Sequence, residues 1–206
     1  MNPRETRFGL IRHGRTEWNA QKRIQGQFDT PLSSLGRAQA ENWAACLKPL
    51  AFDAILTSDL TRAIQTAEIL NSQLRIVRHQ DARLREQDWG RWVGQTIKDL
   101  QHEASGELAR QVAAGWHFCP PGGEDRLTVF QRSSRALADW AVKLKGRTVL
   151  VVTHEGVIKS LLYRLSGRSY LPGEPALIKP GHLHWLCHDG QNLFVDSING
   201  LKLTDG

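Results

Sequence analysis

The sequence is poor in several residue types, and each scarcity excludes something. It holds three cysteines, one methionine and two tyrosines in 206 residues. Cys46, Cys119 and Cys187 are odd in number and far apart, so they form neither a CxxC pair nor a metal-ligand cluster. They read as free thiols in a reducing compartment, some of them buried. No apolar run reaches the length of a membrane span, and the start, MNPRETRFGLIRHG, lacks the apolar stretch of a signal peptide. The expectation is a soluble, cytoplasmic protein with no membrane partner. No block of like charges and no repeat is visible, so neither a charged tail nor a solenoid is expected. No Asp/Glu/His cluster suggests a metal site, and no metal or other cofactor is expected.

What is present bounds the answer further. With 40% hydrophobic residues, the chain is long enough to bury a core as one domain over 1–206. The net charge is +6 and the sequence pI about 9.5. Nucleic acid is not the expected partner, because the arginines are spread along the chain and not interleaved with aromatics. A positive field also suits a small anionic substrate, which it steers and concentrates. Oligomeric state is open, with a homodimer as the common default.

Hydrophobic periodicity predicts alternating strands and helices. Phe8 to Ile11 reads as a buried strand ending at Arg12-His13-Gly14. Ser33 and Ser34 can cap a helix to about Leu47, with Leu35, Ala38 and Cys46 on its apolar side. Asp53 to Thr57 is a second strand. Ser58-Asp59 then opens a helix to about Leu70, and Arg75 to Val77 is a short third strand. From about Leu84 to Pro121 the pattern weakens into a partly helical excursion, assigned to 87–125 as a small cap. A helix follows on Leu127, Phe130, Leu137, Ala141 and Leu144, stopped by Gly146. Thr148 to Thr153 is the most apolar strand, and it runs into His154 and a helix to about Leu165. His184 to Cys187 and Asn192 to Val195 predict a closing strand or hairpin. The alternation predicts a three-layer α/β/α fold with a mostly parallel central sheet. Ligands bind beyond the carboxyl ends of such strands, where Arg12-His13, Ser58 to Arg62 and His154 all fall.

These residue types suit phosphoryl transfer. Arginine presents planar, paired donors that match phosphate oxygens. Its charge also keeps a neighbouring histidine neutral, and a neutral imidazole has a lone pair that can attack phosphorus. Fixed cations and donors can stabilise the charge spread over the equatorial oxygens in the transition state. Each residue alone has a plainer reading, a structural histidine or a surface arginine. Their joint placement after three strands favours the chemical one.

LIRHGRTEWNAQKRIQGQFDTPLSSLGRAQA resembles the opening of the histidine phosphatase superfamily, also called the phosphoglycerate mutase-like family. The similarity continues in TSDLTRAIQTAEIL, LREQDWGRWVGQT, PPGGED and VLVVTHEGVIKSLLYRL, from about Phe8 to Leu165. The resemblance implies a doubly wound α/β/α fold and a two-step reaction. His13 would be the nucleophile that accepts the phosphoryl group. Arg12 and Arg62 would bind that group, and His154 would donate a hydrogen bond to it. Glu86 would be the general acid and then the base that activates water, work that calls for surroundings able to keep a carboxyl protonated. Trp89 and Trp92 could exclude water there or simply pack. Asn19, Gln25 and Gly26 match positions lining the phosphate pocket, and Thr16 could add a hydroxyl. The plainer reading of these four is a polar turn.

Two positions depart from the family pattern. Arg15 stands where mutases usually carry Glu, and Glu155 stands where a small residue is usual. A carboxylate beside a phosphate pocket is repulsive unless paired. Glu155 could sit in a helix's first turn, where the dipole favours an anion, or could contact the substrate.

The expected activity is hydrolysis of a phosphomonoester on a small metabolite. PPGGED resembles the small-metabolite branches, including alpha-ribazole phosphatase and the fructose-2,6-bisphosphatase domain. Family mutases usually carry a longer tail over the site, whereas this chain closes soon after its last predicted strand. A cofactor-dependent phosphoglycerate mutase is the alternative, and a non-catalytic phospholigand-binding module is the alternative from another class. Specificity is expected in the excursion, with Arg91, Trp116 and His117 as contacts; the substrate itself is not legible.

Overall fold

The computed structural model describes residues 5–203; the last three residues of the closing segment lie outside the described residues. The chain runs β1 (Thr6–Arg12), α1 (Glu17–Ala20), α2 (Ser34–Leu47), β2 (Ala54–Thr57), α3 (Thr61–Leu74) and β3 (Val77–Gln80). It continues through α4 (Ile97–Glu103), α5 (Ser105–Ala113), α6 (Arg126–Lys143), β4 (Thr148–Thr153), α7 (Glu155–Leu165), β5 (His184–His188) and β6 (Leu193–Ser197). The six strands form one sheet in the order β3-β2-β4-β1-β5-β6. The first four strands are mutually parallel, and β5 joins β1 antiparallel, followed by β6.

Strand composition explains the layers. β1, β2 and β4 are nearly continuous apolar runs because both faces of the sheet are covered. Successive side chains alternate between faces. Phe8, Leu10, Leu56, Val149 and Val151 face α6 and α7, packing on Val129, Leu137, Leu161 and Leu162. Ile11, Ile55, Leu150 and Val152 face α2 and α3, packing on Trp43, Leu47, Ala67 and Leu70. Each fully buried aliphatic side chain contributes about 1.5–3 kcal/mol. A third, smaller cluster of Trp92, Leu100, Leu108 and Phe118 holds the excursion together, joined by Trp89. Trp89 and Trp92 are thus packing residues, each ring within 6.4 Å of the other and of Phe118. Among the described residues, no helix is long and apolar enough to cross a membrane.

Several local expectations need correction. The buried stripe of α2 is Gly36, Gln39, Ala40, Trp43, Ala44 and Leu47; Leu35 and Ala38 are exposed and Cys46 is half-buried. The helix is rotated because Gly36 presses backbone to backbone on the loop after β1, where a Cβ would collide with Arg15. Trp43 and Leu47 follow at helical spacing and fill the sheet face. Ser58 and Asp59 precede α3 and do not join it; Leu60 holds the cap position in extended backbone. α3 also runs on to Leu74, and Arg75 is its left-handed cap at φ 54°, so the third strand begins at Val77. A residue at positive φ ends a helix and is not part of a strand.

Candidate active site

The site forms where β1, β2 and β4 end. The His13 amide donates to Thr153 O at 3.0 Å, which ties the β1 exit to β4. The Gly14 amide donates to Thr66 Oγ1 of α3 at 3.0 Å. Ser33 caps α2 by accepting from the Gly36 amide, and its own hydroxyl donates to Arg15 O. Gly14 and Gly36 lie so close that a side chain on either would strike backbone. The loop that carries His13 is therefore clamped by both α2 and α3.

His13 is 5% exposed. Its Nδ1 lies 2.7 Å from Gly14 O. A carbonyl can only accept, so Nδ1 carries the ring proton and Nε2 keeps its lone pair. Nε2 accepts from Arg62 Nε at 3.2 Å. Burial, then the charges of Arg12 and Arg62, hold the His13 imidazolium well below the usual histidine range. The ring is neutral at neutral pH, with the lone pair of Nε2 beside a guanidinium. Arg62 is 1% exposed and directs its other donors to Phe28 O at 2.9 Å and Gly26 O at 2.7 Å. Burial lowers Arg62 to about 10 against the opposing pull of Glu86 and Asp29, and it stays charged at neutral pH.

His154 is fully buried, its ring 5.1 Å from that of His13. Its Nε2 lies 2.9 Å from Ser58 Oγ. That hydroxyl also accepts from the Leu60 amide. The His154 Nδ1 is buried and has no partner among the described residues. Burial, Arg62, His13 and Arg12 all depress its imidazolium form.

Glu86 reaches the same place from the segment after β3. Its Oε1 accepts from the Gln87 amide at 2.8 Å and its Oε2 from the Gly156 amide at 3.1 Å, in the first turn of α7. A Cβ on Gly156 would collide with Oε1, so glycine is what lets the carboxylate sit there. The Glu86 carbonyl accepts from Gln27 Nε2 at 3.1 Å and Arg132 Nη2 at 3.0 Å. Arg132 is held in turn by both Glu124 oxygens and by Arg83 O. The Glu124 of PPGGED thus supports the backbone that carries Glu86.

The remaining sequence-predicted residues divide. Thr16 caps α1 and shares a reciprocal capping box with Asn19. Asn19 also lines the cavity that opens at Arg12 and His13. Buried Gln25 accepts from Thr30 Oγ1 at 2.6 Å, and Gly26 lends its carbonyl to Arg62. Glu155 is the first residue of α7; it pairs with Arg12 Nη1 at 2.5 Å and with Lys159 at 2.6 Å. Burial pushes its carboxyl up, but Arg12 and Lys159 together hold it below the usual range. The repulsion expected of a carboxylate here is thereby removed. Trp116 donates to Arg168 O at 2.8 Å and packs edge-on against Tyr170. The cavity is lined instead by the loop after β1, one side of α2 and α7, and residues 176–184 and 202–203.

Ser58, Gln27 and Arg132 are positioning residues that the sequence reading did not single out. Ser58 had a signal, since it follows the second strand directly. Gln27 and Arg132 had none, because their contacts with Glu86 span 59 and 46 residues. Among the described residues, no group of three or more His, Cys, Asp or Glu could hold a metal.

The model of the histidine phosphatase superfamily (branch 1) matches residues 8–200. A glucosyl-3-phosphoglycerate phosphatase of Mycolicibacterium vanbaalenii is 38% identical over 193 residues, covering 89% of this chain and 84% of that protein. A Salmonella choleraesuis protein named probable phosphoglycerate mutase GpmB is 35% identical over 158 residues, 77% of this chain and 74% of its own length. The structure of Bacillus stearothermophilus YhfR superposes with a TM-score of 0.85 at 31% identity, covering 95% of this chain and 98% of that one. The chain belongs to the histidine phosphatase superfamily, branch 1, and is a histidine-type phosphatase.

Proposed function

We propose that this enzyme hydrolyses phosphomonoesters of small metabolites through a phosphohistidine on His13. The observation that carries the reading is the neutral His13, its proton fixed on Nδ1 by Gly14 and its Nε2 beside Arg62. Nε2 attacks phosphorus as the ester P–O bond breaks. Glu86 gives its proton to the departing oxygen. Arg12, Arg62 and the Nδ1 proton of His154 receive the charge on the phosphoryl oxygens. The unpartnered Nδ1 of a fully buried ring supports that role, since a buried donor calls for an acceptor. Glu86 then takes a proton from water, which attacks the phosphohistidine and releases phosphate and free His13. Asn19 and Gln25 border the phosphoryl pocket, Thr16 shapes its rim, and Gly26 holds Arg62. In this reading residues 87–125 form a cap whose Glu124 keeps Glu86 in place. A cytoplasmic setting goes with Cys46, Cys119 and Cys187, which form no disulfide among the described residues.

The small-metabolite class is supported by the relatives named for glucosyl-3-phosphoglycerate phosphatase and alpha-ribazole phosphatase. The relative named as a mutase supports the second reading, in which a returned substrate replaces water. Brief reaction with labelled substrate and an alkaline quench should trap acid-labile, alkali-stable label, absent in His13→Ala. With 2- and 3-phosphoglycerate, rapid isomerisation and negligible phosphate release would sink the hydrolase reading. Phosphate binding without turnover of any phosphomonoester in a broad panel would instead point to a binding module.

A further inference from the structure

The cavity that starts at Arg12 and His13 has a volume of about 780 Å³, far more than a phosphoryl group fills. Its lining carries seven lysines and arginines and one carboxylate, Glu155. Glu155 is already neutralised by Arg12 and Lys159. The other five cations, Arg15, Lys22, Arg23, Lys179 and Lys202, form no ion pair among the described residues. They come from two directions, the loop and first helix after β1 and the segment flanking the β5–β6 hairpin. The lining also includes the apolar side chains Trp43, Ile158, Tyr163 and Ile178. Like charges gathered around one concavity repel one another, and a bound anion relieves that repulsion while the cavity focuses the field. An apolar wall with a few converging polar groups is the usual composition of a small-molecule site.

We infer that this cavity holds a second anionic group of the substrate, a carboxylate or a phosphate, away from the phosphoryl group that reacts at His13. The substrate class is then a phosphomonoester with two separated anionic groups. This rests on the phosphatase reading above and narrows it. It also places selection at Lys22, Lys179 and Lys202, outside residues 87–125; Arg23 is already held by Gly94 O and Gln21 Oε1.

The test uses three phosphate esters with leaving groups of matched acidity, whose tails end in a carboxylate, a phosphonate or a neutral amide. The wild type should favour both anionic tails over the amide by about tenfold or more in kcat/KM, mainly through KM. The double variant Lys179→Ala/Lys202→Ala should lose that preference while hydrolysing the neutral ester within about twofold of wild type, as for exposed side chains remote from the chemistry. A preference for only one anionic tail would identify which anion the site takes. No preference in the wild type, or an equal fall for all three esters in the variant, would overturn the inference and leave the phosphatase reading intact. Non-hydrolysable phosphonate analogues with the same tails report binding without turnover. If they bind with the charge preference but no ester is hydrolysed, the phosphatase reading fails and the anion site stands.

Discussion

Ser58 and His154 are 96 residues apart in sequence, yet the serine hydroxyl lies 2.9 Å from Nε2 of the ring and holds it in place. Removing the hydroxyl in Ser58→Ala takes away the partner that Nε2 has among the described residues and frees the ring to change orientation or tautomer. His154 would then present a lone pair to the phosphoryl oxygens in part of the population. The loss should appear in kcat, by about tenfold, the worth of one hydrogen bond of ~1–1.5 kcal/mol. Ser58→Thr, which keeps the hydroxyl, should recover most of it. An unchanged kcat with altered stability alone would reduce Ser58 to a structural contact. His13 and Arg62 could be picked out from residue types alone, because RHG and the arginine after TSDLT lie at predicted strand ends. Ser58's partner could not, since the sequence does not state what faces a given hydroxyl.

At the level of the element, α7 positions Glu86. Its first turn offers the Gly156 amide to Glu86 and leaves no room for a Cβ. Gly156→Ala should favour the helix by up to about 1 kcal/mol on propensity, so the protein should fold. The added methyl should push Glu86 off its amide and slow turnover most for alkyl esters, which need protonation to leave. Comparing kcat for aryl and alkyl phosphates measures this, and equal losses would count against Glu86 as the acid. Element positions were largely readable, because apolar runs and 3.6-residue periodicity are local signals. The rotation of α2 was not. It depends on Gly36 meeting the backbone of Arg15, a contact between segments that no periodicity encodes.

At the scale of the whole molecule, three of the buried histidines among the described residues are held toward their neutral form. Burial depresses His13, His154 and His184, the last to about 4. In the unfolded chain each titrates near ~6.5. Below that pH the unfolded state binds protons that the native state does not, so stability is full above about pH 6.5 and falls on acidification. Each histidine contributes a slope of up to ~1.4 kcal/mol per pH unit until its folded value is reached. Urea midpoints at pH 7, 6 and 5 should therefore decrease in that order, and a rise between pH 7 and 5 would contradict the assignment. The carboxylates that partners hold below their usual range, such as Asp81 and Glu155, add their loss at lower pH still.

By itself the sequence determined the α/β/α layers, the parallel core strands and the loops that bear the reacting groups. Those features rest on apolar runs, helical spacing and short motifs, all of them local. Only the tertiary structure decided which ring nitrogen of His13 is free, that Glu155 is paired with Arg12 and Lys159, and that Arg132 and Gln27 hold Glu86. It also decided that the basic cavity is built from the loop after β1 and the segment flanking the β5–β6 hairpin. Hydrogen bonds and charge clusters join groups that are distant along the chain, and their energies depend on burial and distance, which exist only once the layers have packed.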